Sequence, residues 1–312
     1  MADIKTCTII YNPVATSFNN TILENAVEKL KSRGIETTVI KSNKAGHVIP
    51  LIKKYNPLCD LILTLGGDGT VGEAFQGYYR QEQHALYSHL STGTTNDVVA
   101  NFNLVPGDML ASLDKILDGK VRDIDILTVN NDPFAYISCF GYVASVPFLT
   151  PHTMKRRMGY AGYVLYGMKE VAKGPRKMQV SYTKNGELLE AQATMIVVSN
   201  TRRFSGIDIF QDAILDDGMF EVLMIKSLSV GLIATLMRDF FKNNARLDSY
   251  GENVEYFRTN DFFISFDNKK QNIDLCHDGD RYRAARDENL SLHYKVSGRL
   301  QMLLPVQEEC AK

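Results

Sequence analysis

The chain lacks every cysteine spacing that binds zinc or builds a disulfide scaffold. Its five cysteines, Cys7, Cys59, Cys139, Cys276 and Cys310, are scattered, odd in number and without a CxxC pair. Reduced thiols in a cytoplasmic protein are the expectation. An excess of basic charge is also missing, since 35 Lys and Arg stand against 36 Asp and Glu for a net charge of −1. No global positive field gathers nucleic acid, so nucleic acid is not an expected partner. No apolar run approaches the roughly 20 residues that span a bilayer, and no apolar leader core precedes the first strand. No Gly-Lys-[Ser/Thr] follows the glycine-rich turn, which excludes P-loop chemistry. No GxGxxG opens the first helix, where Asn12-Pro13 stands instead, and this disfavours a dinucleotide-binding oxidoreductase. Tryptophan is absent too, which excludes nothing.

What is present is an ordinary globular composition, 45% hydrophobic and 23% charged over 312 residues, enough for two domains. The first part alternates strand and helix. Strands are expected at 7–11, 36–41, 60–65 and 85–90, and helices at 21–32, 47–55, 71–79, 97–102 and 108–117. That alternation predicts an α/β domain with a mostly parallel, covered sheet, whose ligands bind beyond the carboxyl ends of the strands. From 124 onward the pattern turns to strands, with an Asn185-Gly186 hairpin, a helix at 154–171 and another at 229–241. The expected domains are 1–124, an α/β nucleotide-binding unit that 296–306 completes, and 125–295, a mainly antiparallel β-rich unit.

The most informative stretch is Gly66-Gly67-Asp68-Gly69-Thr70, between an apolar strand and a helix. Glycines permit φ > 0 and close backbone approach. The helix start adds unpaired N–H donors and partial positive charge, together a phosphate cradle. Asp68 puts a carboxylate there, where it needs a metal, a donor or a hydroxyl. Gly93-Thr94-Thr95-Asn96-Asp97 ends the next strand. Its polar groups suit phosphate, while Asp97 also suits the plain role of capping the helix that follows. Asp216-Asp217-Gly218 reads first as a turn, and second as a cation-ordered turn made of a carboxylate and main-chain carbonyls. Asp278-Gly279-Asp280 reads as a hairpin whose acids lie at a strand end, fit to take a proton from a hydroxyl.

In this order, with Asn12-Pro13 ahead of them, these motifs resemble those of the diacylglycerol kinase-like lipid kinases. The chain is similar to the soluble bacterial members and, more distantly, to sphingosine and NAD kinases. The resemblance spans nearly the whole length. It implies an NAD kinase-like nucleotide domain followed by a β-sandwich domain. It implies ATP and Mg²⁺, with the nucleotide against Asn12, Gly66, Gly67, Asp68, Gly69, Thr70, Gly93, Thr94, Asn96 and Asp97. It implies Asp280 as the base, with Asp278 as the alternative and Asp68 part of the catalytic carboxylate set. It also implies a structural Mg²⁺ at Asp217 with the carbonyls of Ile214 and Met219. The acceptor would be diacylglycerol presented by a membrane surface, touched transiently through Lys155-Arg156-Arg157 and the basic residues after it. A homodimer is a compatible assembly. Another lipid alcohol, a sphingoid base, NAD, or a nucleotide- or lipid-binding regulator without turnover are the alternatives. The chain departs from the family at Asp280, where Glu is common, at Leu90-Ser91-Thr92, which lacks a proline, and at Val14-Ala15, which lacks a glycine.

Overall fold

A computed structural model describes residues 3–93, 96–102, 108–141, 169, 177–204, 207–242, 246–266, 275–278, 280–282 and 290–306. The first elements are β1 (Thr6–Tyr11), α1 (Asn20–Ser32), β2 (Glu36–Lys41), α2 (Val48–Tyr55) and β3 (Leu61–Gly66). Then come α3 (Asp68–Tyr78), β4 (Leu86–Ser91), α4 (Asp97–Asn101) and α5 (Met109–Leu117). The second part opens with β5 (Lys120–Val129), β6 (Asp132–Phe134), β7 (Ile137–Gly141), β8 (Met178–Lys184), β9 (Glu187–Ala193) and β10 (Met195–Ser199). It continues with β11 (Arg203–Phe204), β12 (Ile207–Asp208), β13 (Phe220–Ile225), α6 (Val230–Phe241) and β14 (Val254–Thr259). It closes with β15 (Asp261–Phe266), β16 (Leu275–His277), β17 (Asp280–Tyr282) and β18 (Ser291–Leu304).

Local chemistry accounts for the helix ends. Asn19 accepts the Ile22 N–H to start α1, and Gly34 follows its end at φ 76°. Ser229 caps α6 in the same way through Leu232 N–H. All six residues of β3 are buried, as befits a parallel strand covered on both faces.

A single sheet runs β2-β1-β3-β4-β18-β15-β8-β9, with β5 also paired to β18. It is parallel through β4, where Met302 of β18 meets Tyr87, and antiparallel beyond. A second antiparallel sheet, β14-β13-β10-β7-β16-β17, stacks on the antiparallel end. Phe140 meets Phe266 with ring centroids 5.0 Å apart, and the Ser138 hydroxyl of β7 lies 2.8 Å from the Tyr294 hydroxyl of β18. The α/β layer followed by an antiparallel β-sandwich is the expected fold class.

The sequence differs from the structure in particular places. The 124/125 boundary falls inside β5. The segment 296–306, expected to complete the first unit, is continuous with the strand before it in β18, which has an irregular register between Val296 and Gly298. A bulge there interrupts the apolar pattern without ending the strand. β14 is missed because Glu255 and Arg258 break its alternation, and both are tied into ion pairs. The helix expected at 154–171, apart from Lys169, and the cluster Lys155-Arg156-Arg157 lie outside the described residues.

Candidate active site

The ends of β1, β3 and β4 meet where the sequence placed its glycines. Asn12 N–H bonds Leu65 O at 2.9 Å, Ser17 N–H bonds Thr92 O at 2.9 Å, and Thr92 N–H bonds Gly66 O at 2.6 Å. The Asn12 side chain accepts the Val14 N–H at 3.1 Å, so it first shapes its own turn. The glycines are needed for space, not for left-handed backbone. None of Gly66, Gly67, Gly69 and Gly93 has positive φ. A Cβ on Gly66 would lie 2.1 Å from Thr70 Oγ1, and one on Gly93 would lie 2.6 Å from Gly67 Cα. The two loops therefore touch backbone to backbone. At Gly69 a Cβ would meet nothing within 4 Å. The helix α3 starts at Asp68, three residues earlier than expected, so Asp68, Gly69 and Thr70 form its first turn.

Asp68 does not stand alone in the cradle. Its carboxylate accepts the Val98 N–H at 3.0 Å and the Asp97 N–H at 3.3 Å. It caps α4 from a different loop, so the expected self-cap by Asp97 is replaced. Burial raises the Asp68 carboxyl above its ordinary range, and the α4 N–H groups oppose that rise. Asn96, at φ 53°, folds back on Gly93, accepting its N–H and donating to its carbonyl, both at 3.0 Å. It is a loop latch. Asp97 is buried, with Arg203 Nε 3.8 Å from its Oδ1. Thr94 lies outside the described residues.

Behind the loop sits His89, which the sequence reading missed. It is buried, with Nε2 3.2 Å from Gly66 O and Nδ1 2.7 Å from the Thr64 hydroxyl. Burial pushes its pKa down to about 3, so the ring is neutral. Nε2–H therefore donates to Gly66 O, Thr64 donates to Nδ1, and Tyr87 donates to Thr64 at 2.8 Å. The chain steadies the carbonyl at the head of the cradle. Polar Ser88 and His89 within an otherwise apolar strand were the available signal.

The β16–β17 hairpin approaches the same helix from the second sheet. Asp278 turns it at φ 48°. Its carboxylate accepts N–H groups of Ala135 (2.6 Å), Tyr136 (3.0 Å) and Ile137 (3.2 Å). Oδ2 lies 3.1 Å from the place of a Cβ on Gly72, one turn into α3. Burial pushes the Asp278 pKa up to about 6; the three N–H groups pull it back, and the nearby Asp68 charge adds to the rise. Asp278 is thus a strut, with its oxygens already engaged. Asp280 opens β17 opposite His277, and its side chain lies outside the described residues.

The Asp216-Asp217-Gly218 turn is organised by arginines. Arg122 holds Asp216 at 2.8 Å, and Arg258 pairs with Asp217 Oδ2. Met219 N–H donates to Asp217 Oδ1 at 3.0 Å. Gly218 N–H donates to buried Asp125 at 2.6 Å, and Arg299 reaches that same carboxylate at 3.1 Å. A cation at Asp217, Ile214 and Met219 would face the Arg258 guanidinium, so this turn does not fit a resident metal ion. Among the described residues no group of three or more His, Cys, Asp or Glu is placed to hold one.

A glycine cradle, the Asp68 and Asp97 carboxylates beyond two strand ends and an acidic hairpin against the same helix gather at one edge of the parallel sheet. Residues 6–129 match the diacylglycerol kinase catalytic domain, and residues 138–284 match the YegS C-terminal NAD kinase beta sandwich-like domain. A diacylglycerol kinase of Bacillus subtilis is 28% identical over 73% of this chain and 76% of its own. One from Staphylococcus epidermidis is 26% identical over 75% and 74%. The crystal structure of a diacylglycerol kinase from Bacillus anthracis superposes with a TM-score of 0.76 at 17% identity, covering 97% of this chain and 98% of that one. The chain thus carries a diacylglycerol kinase catalytic domain ahead of a YegS-type β-sandwich-like domain, and the curated relatives it matches over about three quarters of its length are diacylglycerol kinases. No described helix is long and apolar enough to cross a membrane.

Proposed function

We propose that the protein transfers the γ-phosphoryl group of ATP to the hydroxyl of diacylglycerol, giving phosphatidic acid. One observation carries the reading: the Asp68 turn, the Asp97 turn and the Asp278 hairpin meet around the start of α3 and α4. The glycine turn 66–70 would receive the phosphates, with Asn12 and the 93–97 loop at the neighbouring strand ends. Asp280 would accept the proton of the acceptor hydroxyl as its oxygen bonds to the γ-phosphorus. The bond from that phosphorus to the bridging oxygen then breaks, and ADP leaves. The fallback, Asp278, is disfavoured as a base because three N–H groups occupy its carboxylate. Mg²⁺ enters as part of the nucleotide substrate and offsets phosphate charge. Asp68 and Asp97 would hold the cradle in shape, and positioning would supply much of the acceleration.

The acceptor's acyl chains come from a membrane. Exposed Lys169 and Lys177, with the Lys155-Arg156-Arg157 cluster, would meet anionic headgroups at about 1 kcal/mol per basic residue. Contact of this kind is peripheral and transient. Association of two copies is compatible with it and is read by sedimentation velocity.

The test is an acceptor screen with purified protein, radiolabelled ATP and Mg²⁺ across diacylglycerol, sphingosine and NAD. Label is expected in phosphatidic acid. Label in another acceptor alone replaces the substrate, and label nowhere favours a binding protein without turnover. Co-sedimentation with vesicles that is indifferent to anionic lipid would remove the membrane contact.

A further inference from the structure

We infer that Asn101 is a positioning residue that couples the nucleotide-side acids to the acceptor-side hairpin. The helix α4 has five residues, too few to hold itself in place. It is fixed at both ends by side chains. At its start, Asp68 receives the Asp97 and Val98 N–H groups. At its end, Asn101 bridges to the other half of the molecule. Its Oδ1 accepts the Arg203 N–H at 3.0 Å, and its Nδ2 donates to Arg203 O at 3.3 Å and to Asp97 O at 2.9 Å. The amide thus engages both main-chain groups of Arg203 as a neighbouring strand would. Arg203 then returns its guanidinium toward Asp97, 3.8 Å from Oδ1, and toward Asp208 at 3.7 Å. A cavity of about 250 Å³ borders this seam, between Asn101, Arg203, Arg122 and Ile214.

From Arg203 the polar contacts continue into the second sheet. Thr201 Oγ1 donates to Arg203 O at 3.4 Å and lies 3.0 Å from Ser199 Oγ. Ser199 Oγ donates to Tyr136 O at 2.7 Å. Tyr136 N–H donates to Asp278, and Asp278 rests on Gly72 of the helix that Asp68 begins. The path closes into a ring: α3, α4, β11, β10, the β6–β7 connection, the β16–β17 hairpin and α3 again. Ser199 and Thr201 are buried, so these links have no competing water and are costly to leave unmade. The Asn101 side chain binds the main chain of both halves. A solely local role, closing the last turn of α4, would need only its bond to Asp97 O. The two bonds to Arg203 carry the coupling.

The experiment uses the full chain with Asn101→Ala, and with Asn101→Asp as a second variant that retains the acceptor for Arg203 N–H. Hydrogen exchange is followed peptide by peptide. In Asn101→Ala, faster exchange is expected at Arg203 and also at 135–137 and 275–282, while β1 and β2 keep wild-type protection. Asn101→Asp should give an intermediate pattern. Faster exchange confined to 97–101 and 203, or no change, would overturn the coupling. This arm does not depend on the acceptor. The turnover arm rests on the lipid-kinase reading. There kcat should fall about 10- to 100-fold, the scale of a small misplacement, with the nucleotide Kd little changed. A raised nucleotide Kd with unchanged kcat would count against the assignment. An enzyme that phosphorylates a different lipid leaves both arms intact.

Discussion

Gly72 leaves the space that the Asp278 carboxylate fills. A Cβ at residue 72 would lie 3.1 Å from Asp278 Oδ2. One glycine in a helix of the nucleotide half therefore sets how near the acidic hairpin of the other half can come.

Replacing that glycine should separate stability from activity. Gly72→Ala gains helix propensity of up to about 1 kcal/mol and loses some of it to the tight contact. Its melting temperature should barely move. Gly72→Val cannot fit without displacing the hairpin, and kcat should drop at least about 10-fold. Steady-state kinetics with thermal melts would check this; full activity in Gly72→Val would mean that the hairpin position does not matter.

The Asp278 carboxyl should leave a trace in stability against pH. Its pKa is raised from 3.8 to about 6 in the folded state. Between those values the unfolded chain releases a proton that the folded chain keeps. Stability therefore falls as pH rises through that window, by up to about 3 kcal/mol, and is level above it. Urea melts at pH 4 and pH 7 should show this loss in the wild type and not in Asp278→Asn. Equal slopes in the two proteins would assign the titration elsewhere.

The arginine-held turn predicts indifference to divalent cations. Without nucleotide, Mg²⁺ or EDTA should leave the wild-type melting temperature unchanged. Arg258→Met leaves Asp217 and buried Glu221 without their guanidinium, and should cost about 2 kcal/mol. Added Mg²⁺ should then restore part of that loss. A wild type stabilised by Mg²⁺ alone would show that an ion, not Arg258, orders the turn.

Asp280→Asn tests the base. The expected result is a fall in kcat of about 10²- to 10⁴-fold, with fold and ATP affinity retained. Unchanged turnover of the acceptor would reassign the proton transfer.

Much of the site was legible because its residues are punctuation. Gly66, Gly67, Asp68 and Gly93 lie at or just beyond strand ends, and strand ends in a parallel sheet share one edge. Their roles were less legible. Asp97 looked like a cap for its own helix, yet Asp68 does the capping from 29 residues earlier. Asp217 looked like a cation ligand, yet Arg258 comes from β14, a strand whose alternation is broken by that same arginine. His89 gave a weak signal, because adjacent polar residues such as Ser88 and His89 in a six-residue strand set no period. Asn101 and Arg203 gave none, since 102 residues separate them.

The order of strands and helices, the glycine turns and the acidic motifs followed from the sequence alone, because each depends on neighbours a few residues away. Tertiary structure decided which carboxylates are struts, which arginines answer them and how the two halves lock. Those outcomes depend on desolvation and on donors brought from distant strands. No local pattern encodes them, because the energy of a buried charge is set by what surrounds it in space.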